Sequence, residues 1–341
     1  MWTRIRVLGM REVAKIGYQC LSDGDMEDWI SKPYVEPSST PTLFAFPAQT
    51  NLNGRRPPLR WCRQICAAAG EGEGDFSSLL DAASFVSTAP LHVNEIAPGF
   101  VALSFYKIFG CPDLGALIVR KSGAHALHGR KVFGGGTVDM VIASGEKWHV
   151  KKQTSIHEGL EDGTLPFHNI MALDAALDTH KRLHGSMASI SAHTGWLAKE
   201  AYDVFSTLRQ FNGTKACHML NIRGDWIPKT EIEKVAATRN IHLCSGSVCN
   251  PGGTACSLRW AHTDLRRHYV AGLRCGADHD VLEGRPTGVL RISLGAMTSL
   301  EDIQSLVHFI RELYMKKTPH KDRSSLCSSG KQQVLRASLL C

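Results

Sequence analysis

A chain of 341 residues that is 43% hydrophobic and 21% charged is long enough for one large α/β domain and a smaller one, and has the make-up of a soluble globular protein. Its net charge of +7 comes partly from the tail, where Lys316, Lys317, Lys321, Arg323 and Lys331 cluster. There is no dense basic stripe, zinc-finger spacing or bilayer-length apolar run, so neither nucleic acid nor a membrane is an expected partner, while a mild positive balance suits an anionic ligand. The 11 cysteines come without a secretory signal or a clear transit peptide. Free thiols in a reducing cytoplasm are therefore expected, most of them filling the core.

In chain order, residues 1 to about 40 read as irregular and end in the loop-like run SKPYVEPSSTPT. Leu43 to Phe46 is a short strand stopping at Pro47, and Trp61 to Ala69 suits a helix. GEGEGD breaks the chain before Phe76 to Leu80, a buried strand; Val101 to Phe105 and Gly115 to Arg120 are two more. Strands apolar throughout belong to sheets covered on both faces. After FGGGT (133–137) and EDGT (161–164) the period becomes helical, over His168 to Leu183 and Met187 to Asn212. It alternates around Ala216 to Ile222 and turns helical again over Thr230 to Arg239. Leu290 to Leu294 reads as a strand, and Leu300 to Tyr314 as a helix opened by Ser299 with Asp302 three residues on. The organisation is a mostly parallel α/β part over 1–165, a smaller α+β part over 166–315 and a polar, Ser-rich tail over 316–341 that is expected to be disordered. There is no internal repeat.

The residues with chemistry are spread along this frame. Lys107 sits just past an apolar run and before a Gly/Pro turn, in LSFYKIFGCPDLGAL. An amine partly desolvated by Phe105, Tyr106, Ile108 and Phe109 has a lowered pKa and condenses readily with a carbonyl; the plain reading is a snorkelling surface lysine. Asp81 ends the strand FSSLL, at the edge where α/β proteins bind ligands; it suits the pyridine nitrogen of pyridoxal phosphate (PLP), or else caps a helix. Gly134, Gly135, Gly136 and Thr137 offer amides and a hydroxyl to a phosphate, or form a turn. Asn51, in PAQTNLNG, suits a carboxylate, the phenolic oxygen of the cofactor or a turn. Cys249 lies in LCSGSVCNPGGTACS, a Gly/Ser/Pro loop fit for a nucleophile that moves between a buried cofactor and an outside acceptor. Cys244 and Cys256 make zinc a rival, yet C-x4-C-x6-C matches no common zinc pattern, and no metal is expected. Cys62 and Cys66, one helical turn apart, read as a packed core pair. Arg291, within a strand, calls for a carboxylate from the protein or from an amino-acid substrate. The histidines show no HExxH spacing and no Ser/His/Asp order.

The order of these elements carries a resemblance. Asp81-Ala-Ala, SFYKIFG, FGGGT, EDGT, a CNPG cysteine loop and PTG-x-x-RISLG together resemble the class V aminotransferase fold of the cysteine desulfurases. FPAQTN, SFYK and LEDGTLPF are similar to its molybdenum cofactor sulfurase branch, over about residues 1–313. The resemblance implies an α/β PLP-dependent transferase (aspartate aminotransferase-like) fold with the large domain incomplete at its front. It implies PLP bound covalently to Lys107, Asp81 at the pyridine nitrogen, Ser104 at the phosphate, and Thr137 at the phosphate of a partner subunit's cofactor, hence a homodimer. Asn51 and Arg291 would hold the carboxylate of L-cysteine, and Cys249 would take its sulfur as a persulfide. The sulfur would pass to the molybdenum cofactor, serving the molybdenum hydroxylases xanthine dehydrogenase and aldehyde oxidase.

Departures accompany it. Family members begin upstream, with a Gly-rich phosphate turn, and carry a carboxy-terminal domain that docks the molybdenum cofactor. Arg4 stands about where a ring-stacking histidine is usual, Cys244 replaces an arginine, Gly159 replaces a residue that is often arginine, and Gly253-Thr254 carries about one extra residue. Two rival readings are a general cysteine desulfurase or selenocysteine lyase, against which FPAQTN and SFYK count, and a truncated, inactive remnant that binds or dimerises.

Overall fold

A computed structural model describes residues 8–15, 17–32, 41–71, 76–210, 213, 215, 219–220, 223–274, 276 and 279–315. The expectations placed on Arg4, on most of SKPYVEPSSTPT, on the GEGEGD break, on the alternation at 216–222 and on the tail 316–341 fall wholly or largely outside these residues.

The first part is built on a four-stranded sheet of order β1-β2-β3-β4: β1 (Thr42–Pro47), β2 (Phe76–Asp81), β3 (Phe100–Ser104) and β4 (Gly115–Val119). β1 and β2 pair in parallel from Thr42↔Phe76 to Pro47↔Asp81, and β2 pairs in parallel with β3 from Leu79↔Phe100 to Asp81↔Ala102. Helices fill the crossovers that parallel neighbours require, α2 (Trp61–Glu71) and the short α3 (Val93–Ile96). Before them, within the stretch expected to be irregular, lies α1 (Asp23–Ser31), opened by a reciprocal cap in which Ser22 Oγ accepts from Asp25 N at 3.2 Å and Asp25 Oδ2 from Ser22 N at 2.7 Å. Met26, Trp61 and Ile65 pack there with Trp29, Phe44 and Phe76. A second cluster, Ala48, Cys62, Leu80, Ala82, Phe85, Val86, Ala89 and Val101, closes around the carboxyl ends of β1 and β2.

Two expectations for this sheet need correction. The strand expected to run to Phe105 ends at Ser104, because Phe105 opens a single helical turn, α4 (Phe105–Phe109). β4 is not covered on both faces: it is an antiparallel edge strand, and Leu117 and Ile118, on opposite faces, are 52% and 39% exposed. An apolar run reports what a strand is able to bury, not whether anything comes to cover it. Beyond the sheet, β5 (Val138–Val141) and β6 (His149–Lys151) form a small antiparallel pair.

The second part is helical with short antiparallel pairs. α5 (Phe167–His184) and α6 (Met187–Thr207) run before α7 (Lys229–Thr238). α6 stops five residues short of the expected Asn212, where Leu208 takes an extended conformation (ψ 135°). β7 (Cys244–Gly246), α8 (Pro251–Ser257) and α9 (His262–Val270) follow, then the two-residue strands β8 (Val281–Leu282) and β9 (Arg285–Pro286), and β10 (Val289–Arg291). β10 pairs antiparallel with β7 and ends three residues before the expected Leu294. Gly288 and Gly246 make that junction tight: a Cβ on Gly288 would lie 2.7 Å from Gly246 Cα. The last helix, α10 (Leu300–Tyr314), has the expected bounds and cap, with Ser299 Oγ accepting from Asp302 N and Asp302 Oδ2 accepting from Ser299 N. Its apolar stripe, Ile303, Leu306, Val307, Phe309, Ile310 and Tyr314, is buried against α6 and α7. No helix among the described residues is long and apolar enough to cross a membrane.

Candidate active site

Lys107 is half-buried on α4, a turn that Ser104 enters at the carboxyl end of β3 and Gly110 ends with φ +74°. Its neighbours fix that turn from two sides. Ile108 packs on the sheet's core, and Phe109 meets His180 of α5 edge-on, ring centroids 5.2 Å apart. His180 also touches His184, at 5.1 Å. Burial, and then the charge of His184, lower the His180 imidazole below its ordinary value. The Ser104 hydroxyl has no hydrogen-bond partner among the described residues, although the residue holds the N-cap position.

Asp81 is the last residue of β2 and is buried. Its Oδ1 accepts from Ala83 N at 3.1 Å, a tight side-chain turn rather than the cap of an α-helix, since 83–88 form turns. Asn51 follows β1. Its Oδ1 accepts from Ser84 Oγ at 3.3 Å, and its carbonyl accepts from Arg291 Nη1 at 3.1 Å. That last bond ties the end of β10 to the loop after β1. Arg291 Nε donates to Ser293 Oγ at 3.1 Å, and among the described residues no carboxylate reaches the guanidinium and Nη2 has no partner.

Cys249 is exposed on the loop from β7 to α8. Val248 (φ +44°) and Cys249 (φ +56°) both occupy the left-handed region, which costs a non-glycine residue about 1–3 kcal/mol. The loop is held by Asn250 N donating to Ser247 O at 2.8 Å and by Thr254 Oγ1 donating to the same carbonyl at 3.1 Å. Asn250 in turn caps α8 by accepting from Gly253 N at 2.9 Å.

Lys107, Asn51, Arg291 and Cys249 all line one cavity of about 2470 Å³, which runs between the sheet's carboxyl edge and the second part of the chain. Asp81 and Ser104 end the strands beside it without lining it. Thr137 is not brought there. It is fully buried, and its hydroxyl donates to Gly134 O at 2.8 Å. The two glycine motifs pair with each other: Asp162 of EDGT accepts from Gly134 N at 2.7 Å, and Gly163 N donates to Gly135 O at 2.7 Å. The hydrogen bond from Arg130 outweighs desolvation and keeps the Asp162 carboxyl below its usual range.

The thiols depart from the core-filling expectation. Of the seven described, Cys62 alone is buried, while Cys20, Cys111, Cys249 and Cys256 are exposed. Burial pushes the Cys62 thiol up to about 12, which keeps it protonated and inert. Cys66, its expected core partner, is half-buried with its thiol 3.7 Å from Ala97 O. Among the described residues no group of three or more His, Cys, Asp or Glu side chains is arranged to hold a metal ion. Sequence reasoning passed over Ser84, which turns the Asn51 amide, and the buried Lys229–Asp280 pair beside the cavity. Ser84, three residues after Asp81, was within reach of a local reading; the ion pair spans 51 residues and left no local signal.

A lysine on a helical turn after a strand, an acid ending the neighbouring strand and an arginine reaching back from the second part thus gather at one edge of the sheet. The aminotransferase class-V family matches residues 38–306, and the chain belongs to that family. It is 53% identical over 339 residues to the molybdenum cofactor sulfurase of Aspergillus niger, covering 92% of this chain and 41% of that protein, and 52% identical over 341 residues to that of Neosartorya fischeri, covering 93% and 40%. The chain thus spans about two fifths of the length of these curated relatives. Among solved structures it is similar to the cysteine desulfurase CsdA of Escherichia coli (TM-score 0.58, 18% identity, 84% of this chain and 61% of that one). It is also similar to a cysteine desulfurase of Thermococcus onnurineus (0.57, 19%, 86% and 63%). The fold is that of these enzymes.

Proposed function

We propose that the chain is the sulfur-abstracting part of a molybdenum cofactor sulfurase: a PLP-dependent sulfurtransferase that moves sulfur from L-cysteine to Cys249. The observation that carries the reading is the single cavity shared by Lys107, Asn51, Arg291 and Cys249, with Asp81 and Ser104 ending the strands beside it.

The donor set suits PLP. Lys107 Nζ is the amine for its aldehyde, Asp81 the carboxylate for its ring nitrogen, and the unpartnered Ser104 hydroxyl a donor for its phosphate. When bound, PLP supplies an electron-poor ring that stabilises negative charge on the substrate. The chain's own groups do the rest. Arg291 Nη2 binds the carboxylate of L-cysteine, while its Nε and Nη1 stay committed to Ser293 and Asn51. Asn51, turned by Ser84, orients that carboxylate. Lys107 Nζ holds and returns the substrate's proton. Cys249 Sγ attacks the sulfur of L-cysteine: a sulfur–sulfur bond forms, the carbon–sulfur bond breaks, alanine leaves and Cys249 keeps a persulfide. The onward acceptor is the molybdenum cofactor of xanthine dehydrogenase and aldehyde oxidase, reached in a reducing cytoplasm. Service of Thr137 to the phosphate of a second copy's cofactor in a homodimer requires the 134–137 turn, in which Thr137 is fully buried, to open toward the partner. The exposed apolar side chains of β4 and α5 are consistent with such a partner.

Borohydride reduction of the protein incubated with PLP, followed by peptide mapping, tests this directly. A pyridoxyl tag on Lys107, lost in Lys107→Ala, is expected. No tag under saturating PLP supports an inactive remnant, and a tag confined to another lysine overturns the site. Sulfur delivery from L-cysteine to purified apo-acceptors separates the sulfurase from a general cysteine desulfurase or selenocysteine lyase.

A further inference from the structure

We propose that Cys244 is a second sulfur-receiving thiol, which takes the outer sulfur from the Cys249 persulfide and stores it beside Arg291. The inference rests on the sulfurtransferase reading above and adds a residue and a step to it.

Its basis is the pairing of β7 with β10. That antiparallel register sets Cys244 directly opposite Arg291, and directly opposed residues project from the same face with Cβ atoms about 4.5–5.5 Å apart. Cys244 and Cys249 both line the cavity that also holds Lys107 and Asn51. Two thiols therefore open into one space. The other described thiols differ: Cys62 is sealed in the core, and Cys20, Cys66, Cys111 and Cys256 do not line that cavity.

The pair divides into a fixed and a movable member. Cys244 is half-buried on a strand pinned by the close Gly246–Gly288 approach and by Ser245 Oγ donating to Glu233 of α7. Cys249 lies five residues further on, exposed, on a turn in which the backbone of Val248 and Cys249 is in the left-handed region. In this proposal Cys249 travels along the cavity when the turn relaxes and gives up the Asn250 and Thr254 bonds to Ser247 O, while Cys244 stays in place.

The chemistry balances without an outside oxidant. Cys244 Sγ attacks the outer sulfur of the Cys249 persulfide. A sulfur–sulfur bond to Cys244 forms as the one to Cys249 breaks, and Cys249 leaves as a thiolate that takes up the proton Cys244 gives up. The facing guanidinium of Arg291 balances the negative charge that passes between the sulfurs. Cys249 is then free to accept a second sulfur.

The test uses the full chain loaded with PLP and given sulfur-labelled L-cysteine without an acceptor, followed by alkylation and peptide mapping of persulfides. The expected result is label on both Cys249 and Cys244 and close to two sulfurs per chain. In Cys244→Ser loading falls about twofold and stays on Cys249; in Cys249→Ser neither site is labelled. Label confined to Cys249 in the unaltered chain, or label on Cys244 in Cys249→Ser, overturns the proposal. If no cysteine is labelled, the sulfurtransferase reading fails instead, and diamide oxidation of the cofactor-free chain decides the geometry. A Cys244–Cys249 disulfide peptide supports the reach between the thiols, and two separately alkylated thiols overturn it.

Discussion

Replacing Asp280 by Asn is expected to cost far more than removing a surface charge. Lys229 Nζ donates to Asp280 Oδ1 and, at 3.0 Å, to Thr287 Oγ1; Asp280 Oδ2 accepts from Thr230 Oγ1 and, at 3.1 Å, from Thr230 N in the first turn of α7. The two side chains are 11% and 5% exposed. The carboxylate thus neutralises a buried ammonium and also satisfies an amide at a helix start that has no side-chain cap of its own. Removing one partner of such a pair leaves an uncompensated charge and costs about 3–5 kcal/mol. At an unfolding entropy of about 2.1 cal/mol/K per residue, a chain of 341 residues loses about 1.4 °C per kcal/mol, so Tm falls by roughly 4–7 °C. Replacing both partners, with Lys229→Met beside Asp280→Asn, recovers much of that loss, because no buried charge is then left without its partner while the new side-chain amide at position 280 still faces Thr230. Urea unfolding of the four proteins at pH 7 gives the double-mutant cycle. A loss below about 1 kcal/mol in Asp280→Asn, or a double variant no more stable than the single, refutes the argument. The pH dependence adds a check. Burial pushes the Asp280 carboxyl up, but the hydrogen bonds from Lys229 and Thr230 outweigh it and hold the group below its ordinary value. Its contribution is therefore complete above the unfolded-state value of about 4 and is lost as pH falls through the lower folded one. The unaltered chain sheds this stability below about pH 4, and Asp280→Asn has none of it to lose.

Arg291→Ala is expected to raise KM for L-cysteine by about 10- to 100-fold, the equivalent of one charge-assisted hydrogen bond of about 1.5–3 kcal/mol, while PLP occupancy by absorbance holds; equal loss of both makes Arg291 a structural tie to Asn51. His180 is held below its ordinary value by burial and by His184, so below about pH 6.5 the unfolded chain binds the proton more readily and stability falls as pH drops. Thermal melts at pH 7.5 and 5.5 are expected to show a smaller decline in His180→Phe than in the unaltered chain, and an unchanged decline removes His180 from the account.

Local pattern placed some pieces of this protein and passed over others, among them α1 in the stretch expected to be irregular and the pair β5 and β6. Alternation and apolar runs located β1, β2 and most of β3, because strand formation follows from side chains within five or six residues. The Ser299–Asp302 signal set the start of α10 because a cap is a contact across three residues. Asp81 at a strand end and Cys249 in a Gly/Pro loop were legible for the same reason, and the order of such motifs carried the family. The helical turn under Lys107 was missed because Phe105 and Tyr106 favour strands, and Ser104 and Gly110 bound the turn only once β3 and β4 have paired.

What the tertiary structure alone decided is which pieces meet. The Arg291–Asn51 bond spans 240 residues and the Lys229–Asp280 pair spans 51. The placement of Cys244 across from Arg291 depends on a strand register, and a shift of one residue would turn that thiol to the other face. The openness of β4 is decided by what packs over it, which nothing within the strand records. The Asp162 carboxylate that holds the Gly134 amide lies 28 residues along the chain from it. Contacts of this kind depend on how distant segments are brought together as the chain folds, and local periodicity carries no term for that distance.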